Sequence, residues 1–395
     1  MSYLDQLLQG SEVEWKALGE AVNLQRGSRL IKSQLEETGK YAVYQNAMTP
    51  LGYYHLCNVK ASTTFIICAG AAGEIGFSDV DYWAADDITF CITPDYINNR
   101  FIYYFLQTQQ HKILSQVRRA SVPRLSKSVL EKLIIPIPPL SVQKEIVRIL
   151  DTFTELTAEL TAELTAELTA RKTQYNYYRE QLLSFEEGEV EHLPMGNDNI
   201  GKFIRGSGLQ KKDFTETGVG CIHYGQIYTH YGTYTYKTKT FVSEEFAKKA
   251  RKAKYGDLVI ATTSEDDEGV CKAVAWLGNE EIAVSSDACF YTHNLNPKYV
   301  AYFFQTEQFQ KQKRPHITGT KVRRVNADDL AKIKIPVPPL KEQARIVSIL
   351  DKFDTLTTSI NEGLPKEIKL RKKQYEYYRD QLLDFNKLKI GNEKR

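Results

Sequence analysis

The chain is written twice, and that duplication limits what it can fold into more than any other property. "IIPIPPLSVQKEIVRILDTFTEL" from Ile134 returns as "IKIPVPPLKEQARIVSILDKFDTL" from Ile333, and "RKTQYNYYREQLLSF" from Arg171 returns as "RKKQYEYYRDQLLDF" from Arg371. Pro136 pairs with Pro336 and Arg171 with Arg371, each 200 residues on, so no net insertion separates the copies here. Upstream, "SVPRLSKSVLEKL" matches "KVRRVNADDLAKI", "YYFLQT" (Tyr103–Thr108) matches "YFFQT" (Tyr302–Thr306), and "QRGS" (Gln25–Ser28) matches "IRGS" (Ile204–Ser207). Whole domains were copied and then diverged. "DQLL" at Asp5 also echoes "EQLL" at Glu180 and "DQLL" at Asp380, and "SEVEW" echoes "GEVEH". Residues 1–19 therefore read as the tail of a repeat whose body lies at the C-terminus, a circular arrangement that brings the two ends of the chain together.

Each half opens with a mixed pattern. "TTFIICAG", "DITFCIT", "GDLVIATT" and "VCKAVAWLG" read as strands separated by turn residues. The halves then change to apolar residues at helical spacing in "YINNRFIYYFLQTQQHKILSQV" and "NPKYVAYFFQTEQFQKQ". The prolines of "PIPPL" and "PVPPL" end each domain and set the exit direction of the chain, because proline fixes its own φ and restricts the residue before it. The expected class is α+β: two α/β domains at 20–138 and 188–338, separated by long helical segments at 139–187 and 339–395 that form an antiparallel coiled coil with pseudo-twofold symmetry.

Both helical segments carry an apolar stripe in one register, with Ile146, Ile149, Phe153, Leu156, Leu160, Leu164, Leu168, Tyr175, Tyr178, Leu182 and Phe185 in the first. The second repeats it with Ile346, Ile349, Phe353, Leu356, Ile360, Leu364, Ile368, Tyr375, Tyr378, Leu382 and Phe385. Matching stripes favour mutual packing, with Tyr175, Tyr178, Tyr375 and Tyr378 in the core and Tyr177 and Tyr377 off the stripe. Gly363 and Pro365 in "NEGLPKEI" are expected to kink or interrupt the second helix, whereas the first reads as continuous. Within the first, "TAEL" occurs three times in succession and places Leu156, Leu160, Leu164 and Leu168 beside a stripe of Glu155, Glu159, Glu163 and Glu167. Each quartet lengthens a helix by about 6 Å and turns the residues beyond it by about 40°, so between two copied domains it reads as a spacer.

Composition excludes several classes. At 42% hydrophobic and 26% charged, the chain has the make-up of a soluble globular protein. It has neither an apolar run long enough to span a membrane nor a secretory leader pattern at its start, so the expectation is cytoplasmic. Six scattered cysteines without a C-x-x-C pair speak against a zinc site or disulfide framework and read as small buried hydrophobes. A phosphate loop, a G-x-G-x-x-G run, an N-P-P-Y-type motif and an H-E-x-x-H are all absent. "TSEDDEG" (Thr263–Gly269) reads as a polar loop rather than a metal site, and His223 and His230 as surface or core residues rather than ligands. The net charge of +3 does not by itself mark a nucleic-acid binder, so the distribution of basic residues has to decide.

The double arrangement "IPIPPLSVQKEIVRIL" and "IPVPPLKEQARIVSIL", each followed by a long helix, resembles the specificity subunit of type I DNA restriction-modification enzymes. In this reading Lys144-Glu145 stands where the second copy has Glu342-Gln343. The "TAEL" quartets and the "QYNYYREQLL" and "QYEYYRDQLL" segments are similar to the subgroup called type IC. The resemblance implies a non-catalytic reader of double-stranded DNA, with two target-recognition domains each reading half of an interrupted, asymmetric sequence. It also implies docking of two adenine methyltransferase subunits and two restriction and translocation subunits. No cofactor or metal is expected in this chain, with S-adenosylmethionine, ATP and Mg on the partner subunits. A freestanding DNA-binding decoy and a coiled-coil interaction scaffold remain alternatives.

Phosphate contacts are expected where basic residues recur in both halves. Arg26, Ser28 and Lys32 match Arg205, Ser207, Lys211 and Lys212, and the glycine after each arginine would let backbone approach a phosphate. Arg118, Arg119 and Arg124 match Lys313, Arg314, Lys321, Arg323 and Arg324. Base reading is expected where the halves differ, at Tyr41, Tyr44, Gln45 and Asn46 and at Tyr224, Gln226, Tyr228, Tyr231 and Tyr234, the tyrosine run being equally compatible with a packed strand. Tyr177 and Tyr377 are candidates for contact with the methyltransferase subunits.

Overall fold

A computed structural model describes residues 3–119, 121–186, 188–358 and 362–385. Ile360 and the positions from 386 onward, expected in the second helical segment, lie outside the described residues. The chain divides into two compact units. One runs to Glu163 and resumes at Ile368; the other spans Leu164–Glu367.

Both units share a four-stranded antiparallel arrangement, to which Tyr234–Thr235 adds a fifth, parallel strand beside Ala273–Trp276 in the second. In the first, strands Asn23–Arg26, Ile88–Ile92, Thr63–Ile67 and Ile75–Ser78 lie side by side in that order. In the second, Gly201–Arg205, Ala288–His293, Leu258–Ala261 and Ala273–Trp276 repeat the order. The central strands are buried on both faces, which is why "LVIA" is a continuous apolar run and "TTFII" carries no charged residue on either face, with Thr64 Oγ1 donating to Asn99 O (2.8 Å). A short antiparallel pair closes each domain: Glu14–Ala17 on Ile134–Ile137 and His192–Pro194 on Lys334–Pro336. Further divergence lies in the second sheet, three-stranded in the first unit and five-stranded in the second.

The domain-ending helix, the buried one that follows the sheet and has only short elements between it and the long helix, is Asn99–Thr108 in one unit and Pro297–Phe303 in the other, and it begins at an asparagine cap. Asn98 Oδ1 accepts from the amides of Arg100 and Phe101 (2.9 and 3.2 Å), and Asn296 Oδ1 from those of Lys298 and Tyr299 (3.0 and 3.3 Å), with Pro297 at the first helical position. The cap residue is itself held by a buried glutamine from the start of the long helix. Gln143 Oε1 accepts from Asn98 N (2.8 Å) while its Nε2 donates to Pro138 O (2.7 Å). Gln343 does the same with Asn296 N and Pro338 O, both at 2.8 Å. These contacts correct the alignment expected from sequence: Gln143, and not Lys144-Glu145, stands in the place of Gln343.

The first long helix runs unbroken over Leu140–Leu182, whereas the second is divided into Leu340–Thr358 and Leu364–Leu382. Pro365 sits in the first turn of the later piece, where its missing N–H is no loss. At Gly363 the backbone comes so close to the Leu356 carbonyl that an added Cβ would lie 2.5 Å from it. Within each unit the helices pair antiparallel. Phe153 meets Tyr378 at 5.9 Å and Thr154 Oγ1 donates to Tyr375 Oη (3.0 Å) in one, while Phe353 stacks on Tyr178 (5.5 Å) and Tyr175 (6.3 Å) in the other. The circular relation also holds in the packing, since Leu4 and Leu8 share one core with Leu382, Leu383 and Phe385.

The apolar stripe is only partly buried. Ile146, Leu150, Tyr175, Ile346 and Leu350 are interior, but Leu156 is 55% exposed and Leu160, Leu164 and Leu168 are half-buried. Tyr178 and Tyr378, expected in the core, keep 39% and 45% of their surface, because each packs one face against a phenylalanine and leaves the outer face open. Among the described residues no helix is long and apolar enough to cross a membrane. All six cysteines are free; four are buried, and Cys57 and Cys68 are half-buried.

Candidate nucleic-acid interface

The two basic groups of each half, far apart in sequence, are brought together by one backbone frame that occurs in both units. At the end of the first edge strand Arg26 donates from Nε to the Asp86 carbonyl, and Arg205 from Nε to the Ser286 carbonyl (3.2 Å). The next loop residue receives a main-chain bond from the end of the buried strand: Cys68 N to Asp87 O (2.7 Å) and Thr262 N to Asp287 O (3.0 Å). The carbonyl of that same strand residue accepts from the segment carrying the second basic group, Leu125 N to Cys68 O (2.8 Å) and Val325 N to Thr262 O (3.1 Å). Arg124 and Arg324 immediately precede those amides, each closing a tight turn by paired bonds to Arg118 and to Thr318.

In the second unit this frame borders a crevice of about 270 Å³ lined by Arg205, Thr262, Thr263, Asp287, Arg324 and Asn326, among others. Arg26, Arg124, Arg205 and Arg324 are exposed, and none has an ion-pair partner among the described residues. Guanidinium groups that are exposed and outside any ion pair, with those of Arg26 and Arg205 held by a carbonyl, suit binding of an anion. Arg118, Arg119 and Lys321 lie exposed around the same turns. Lys32 and Lys211 each begin a one-turn helix closed by a side chain three residues on, through Ile31 N to Gln34 Oε1 (3.1 Å) and Gln210 N to Asp213 Oδ2 (2.8 Å). Lys32, Lys211 and Lys212 are exposed there.

Several expected phosphate contacts have other employment. Lys313 is fully buried: its Nζ donates to the carbonyls of Asp267 (2.7 Å), Val270 (3.0 Å) and Glu268 (3.3 Å), and burial pushes its pKa down. It holds the acidic loop from beneath and is not a surface cation. Arg323 pairs with Asp267 in that loop (2.7 Å), and Arg314 pairs with Glu307 (2.8 Å). Gly27 and Gly206 are also reassigned. A Cβ on Gly27 would collide with the carbonyls of Ala84 and Ala85, and one on Gly206 with those of Val284 and Ser285. These glycines let two protein strands touch, so phosphate approach is not what requires them. Ser28 and Ser207 continue that contact, donating from N to Ala84 O (2.9 Å) and Val284 O (2.7 Å).

Most of the base-reading candidates are structural. Tyr44 packs on Phe65 (5.4 Å) and Tyr82 (5.7 Å), and Tyr231 is buried with its hydroxyl accepting from Lys239 N (2.7 Å). Tyr228 donates to Thr263 O (2.9 Å), and Tyr234 lies under the Lys298 ammonium at 3.6 Å. Residues Tyr224–Thr229 form a helix rather than a packed strand, capped by His223, whose Nδ1 accepts from Gly225 N (3.2 Å) and whose pKa is lowered by burial and by Lys211. Gln226 closes the cap, its Oε1 accepting from His223 N (3.1 Å), and Nε2 binds Thr240 (2.9 Å). Gln45 Nε2 reaches Asp87 Oδ2 at 3.4 Å, beside the arginine frame. Tyr41, Asn46 and Tyr224 keep at least part of their side chains open. Tyr177 and Tyr377 are 60% and 61% exposed, each edge-on to its neighbour Tyr178 or Tyr378 at 5.5 Å.

Sequence reasoning missed the polar residues that join domain to helix: Asp151 and Asp351, with Tyr104 and Tyr302. The signal was available, since an aspartate follows "IL" at the same place in both long helices, 200 residues apart.

Two α+β domains built on one plan, each bearing exposed arginines on the same main-chain frame, define a duplicated protein. Residues 10–170 and 198–370 match the family described as type I restriction modification DNA specificity domain, and the chain belongs to that family. It is similar to a type I restriction enzyme specificity subunit of Haemophilus influenzae, 36% identical over 412 residues, with 98% of this chain and 99% of that protein covered. The EcoR124I/EcoR124II specificity subunit of Escherichia coli is 34% identical, covering 98% of each. Among solved structures, a chain from a type I R-M system studied for complex assembly and conformational transition matches with a TM-score of 0.68 at 14% identity, over 94% of this chain and 98% of that one. The HsdS subunit from Thermoanaerobacter tengcongensis matches with a TM-score of 0.53 at 14% identity, over 95% and 97%. These two likenesses are of fold.

Replacing Gly206 by alanine is expected to destabilise the chain by about 1–3 kcal/mol through overpacking against Ser285, read as a lower urea midpoint. An unchanged midpoint with weakened DNA binding would restore the phosphate-approach role.

Proposed function

We propose that the chain is the DNA sequence-specificity subunit of a type I restriction-modification complex, a non-catalytic reader of a two-part asymmetric target. The observation that carries this reading, beyond family membership, is the arginine frame built twice from the same main-chain bonds while the surrounding loops differ. A frame shared by both halves suits the sugar-phosphate backbone, which is the same everywhere, and divergent loops suit bases, which are not. Arg26, Arg124, Arg205 and Arg324 are the central phosphate contacts in this reading, supported by Lys32, Arg118, Arg119, Lys211, Lys212 and Lys321. Tyr41, Gln45, Asn46 and Tyr224 remain the candidates for base contact.

In the same reading the five segments 1–19, 20–138, 139–187, 188–338 and 339–395 are functional divisions, and the protein acts in the cytoplasm. The "TAEL" quartets make it type IC-like, with the helix as a ruler for the gap between half-sites. Two adenine methyltransferase subunits and two restriction and translocation subunits complete the assembly and carry S-adenosylmethionine, ATP and Mg. Tyr177 and Tyr377, exposed at equivalent places on the helices, are the proposed contacts for the methyltransferase subunits.

Three experiments test this. Methylated adenines are mapped in cells expressing the chain with methyltransferase subunits, beside a variant lacking Thr161–Leu164. An interrupted motif is expected whose gap shortens in the variant, by a base pair or two for about 6 Å of helix, with both halves unchanged. Folded, assembled protein without any motif would refute the reading. Arg124→Ala and Arg324→Ala are each expected to weaken DNA binding about equally across sequences and to lower the salt dependence by about one unit of slope; a sequence-selective loss would move these residues to base contact. Tyr177→Ala with Tyr377→Ala is expected to reduce co-purification of the methyltransferase subunit about tenfold with stability changed by less than about 0.5 kcal/mol, and intact assembly would remove both tyrosines from the interface.

A further inference from the structure

We infer that Asp151 and Asp351 are positioning residues for DNA recognition: each carboxylate locks one buried helix of a recognition domain, Asn99–Thr108 or Pro297–Phe303, onto its long helix, so that the domain keeps one angle and the protein accepts one gap between half-sites. The inference rests on the proposed function and adds to it the residues that set the geometry.

The lock is the same in both units. Asp151 Oδ1 accepts from Tyr104 Oη at 2.6 Å and lies 2.7 Å from Arg100 Nε. Asp351 Oδ1 accepts from Tyr302 Oη at 2.7 Å, and its Oδ2 lies 2.7 Å from Lys298 Nζ. Both tyrosines are almost wholly buried, at 1% and 0% exposure. In each copy the cation also faces an aromatic ring of its own domain, Arg100 over Phe77 at 4.8 Å and Lys298 over Tyr234 at 3.6 Å. The cation differs between the copies, Arg100 being shared with Asp79 at 2.8 Å while Lys298 Nζ donates to Asp351 Oδ2, and the tyrosine–aspartate bond is the part that recurs.

Two considerations make this a matter of angle rather than of adhesion. Apolar packing alone would hold the domain as firmly, and the ion pairs, whose side chains are only half-buried, add little stability of their own. What the cluster adds is direction, since a charged hydrogen bond tolerates little displacement. Gln143 pins the domain at the start of the helix and Asp151 pins it eight residues later, about 12 Å along the axis. Gln343 and Asp351 repeat the pair of pins. Two pins on one axis prevent pivoting, which a single pin or a greasy contact would permit. In the second unit the Glu180 carboxylate adds a third, accepting from Glu307 N at 3.1 and 3.0 Å.

The test uses the full chain assembled with methyltransferase subunits and a DNA library carrying both half-sites at the wild-type gap or one base pair longer or shorter. Asp151→Asn, Asp351→Asn and the milder Tyr104→Phe and Tyr302→Phe are expected to lower discrimination between gaps about tenfold, with the base preferences of both half-sites unchanged. Arg100→Lys and Lys298→Arg, each of which copies the other half, are expected to keep wild-type discrimination. Unaltered discrimination in the aspartate and tyrosine variants, given a wild-type motif with a single gap, would overturn this inference alone. A wild-type assembly that yields no two-part motif would overturn the functional reading and this inference with it.

Discussion

Two buried carboxamides hold the design together. Gln143 and Gln343 each join three segments that would otherwise only abut: the cap of the domain-ending helix, the proline exit and the first turn of the long helix. Each is almost wholly buried, so a carboxamide left without partners there would cost about 1–3 kcal/mol. The cap position follows from Asn98 or Asn296, the exit angle from the proline rings, and the glutamine makes one depend on the other. A helix whose first turn is bonded to the preceding domain starts from a fixed point, and the second pin at Asp151 or Asp351 completes its direction.

Much of this architecture was legible because it depends on patterns that repeat. The apolar runs became the buried strands Thr63–Ile67, Ile88–Ile92, Leu258–Ala261 and Ala273–Trp276, and the helical spacing after Asn98 and Asn296 became the domain-ending helices. The break near Gly363 and Pro365 was visible from backbone chemistry alone. Burial was not visible. Lys313 sits in the basic run "KQKRPH" and looks like its neighbours, yet its ammonium is enclosed by three carbonyls. Gly27 and Gly206 carried the right expectation of a close approach, but the approaching partner is the next loop of the protein. The tyrosines of the second half were ambiguous for a related reason: hydroxyl partners such as Thr263 O and Lys239 N lie far away or on backbone, where residue identity gives no hint. The glutamine register was misread because Lys144-Glu145 resembles Glu342-Gln343 in character, although the offset of 200 residues that pairs Pro136 with Pro336 also pairs Gln143 with Gln343.

The two copies have drifted unevenly. Their asparagine caps, glutamine pins and tyrosine–aspartate bonds coincide, whereas the second unit has further strands and helices and an acidic loop held by Lys313 below and by Arg323 at its side. Where one copy has Thr154 in contact with Tyr104 and Tyr375, the other has Asp354, whose pKa is raised by burial and by the nearby Asp351. Such a carboxyl is held against its own preference for water, which indicates that neighbouring contacts in that unit are strong enough to keep it there.

The arginine frame consists of main-chain bonds, and this decides how the protein can change. Cysteine stands in one copy where threonine stands in the other, and leucine where valine stands, because the amides and carbonyls of Cys68, Thr262, Leu125 and Val325 do the bonding. A support indifferent to side chains lets the loops it carries be rewritten, or replaced wholesale, without refolding the domain. New specificity then arises by exchanging surface while inheriting the scaffold, and the supply of viable variants is set by the loops alone.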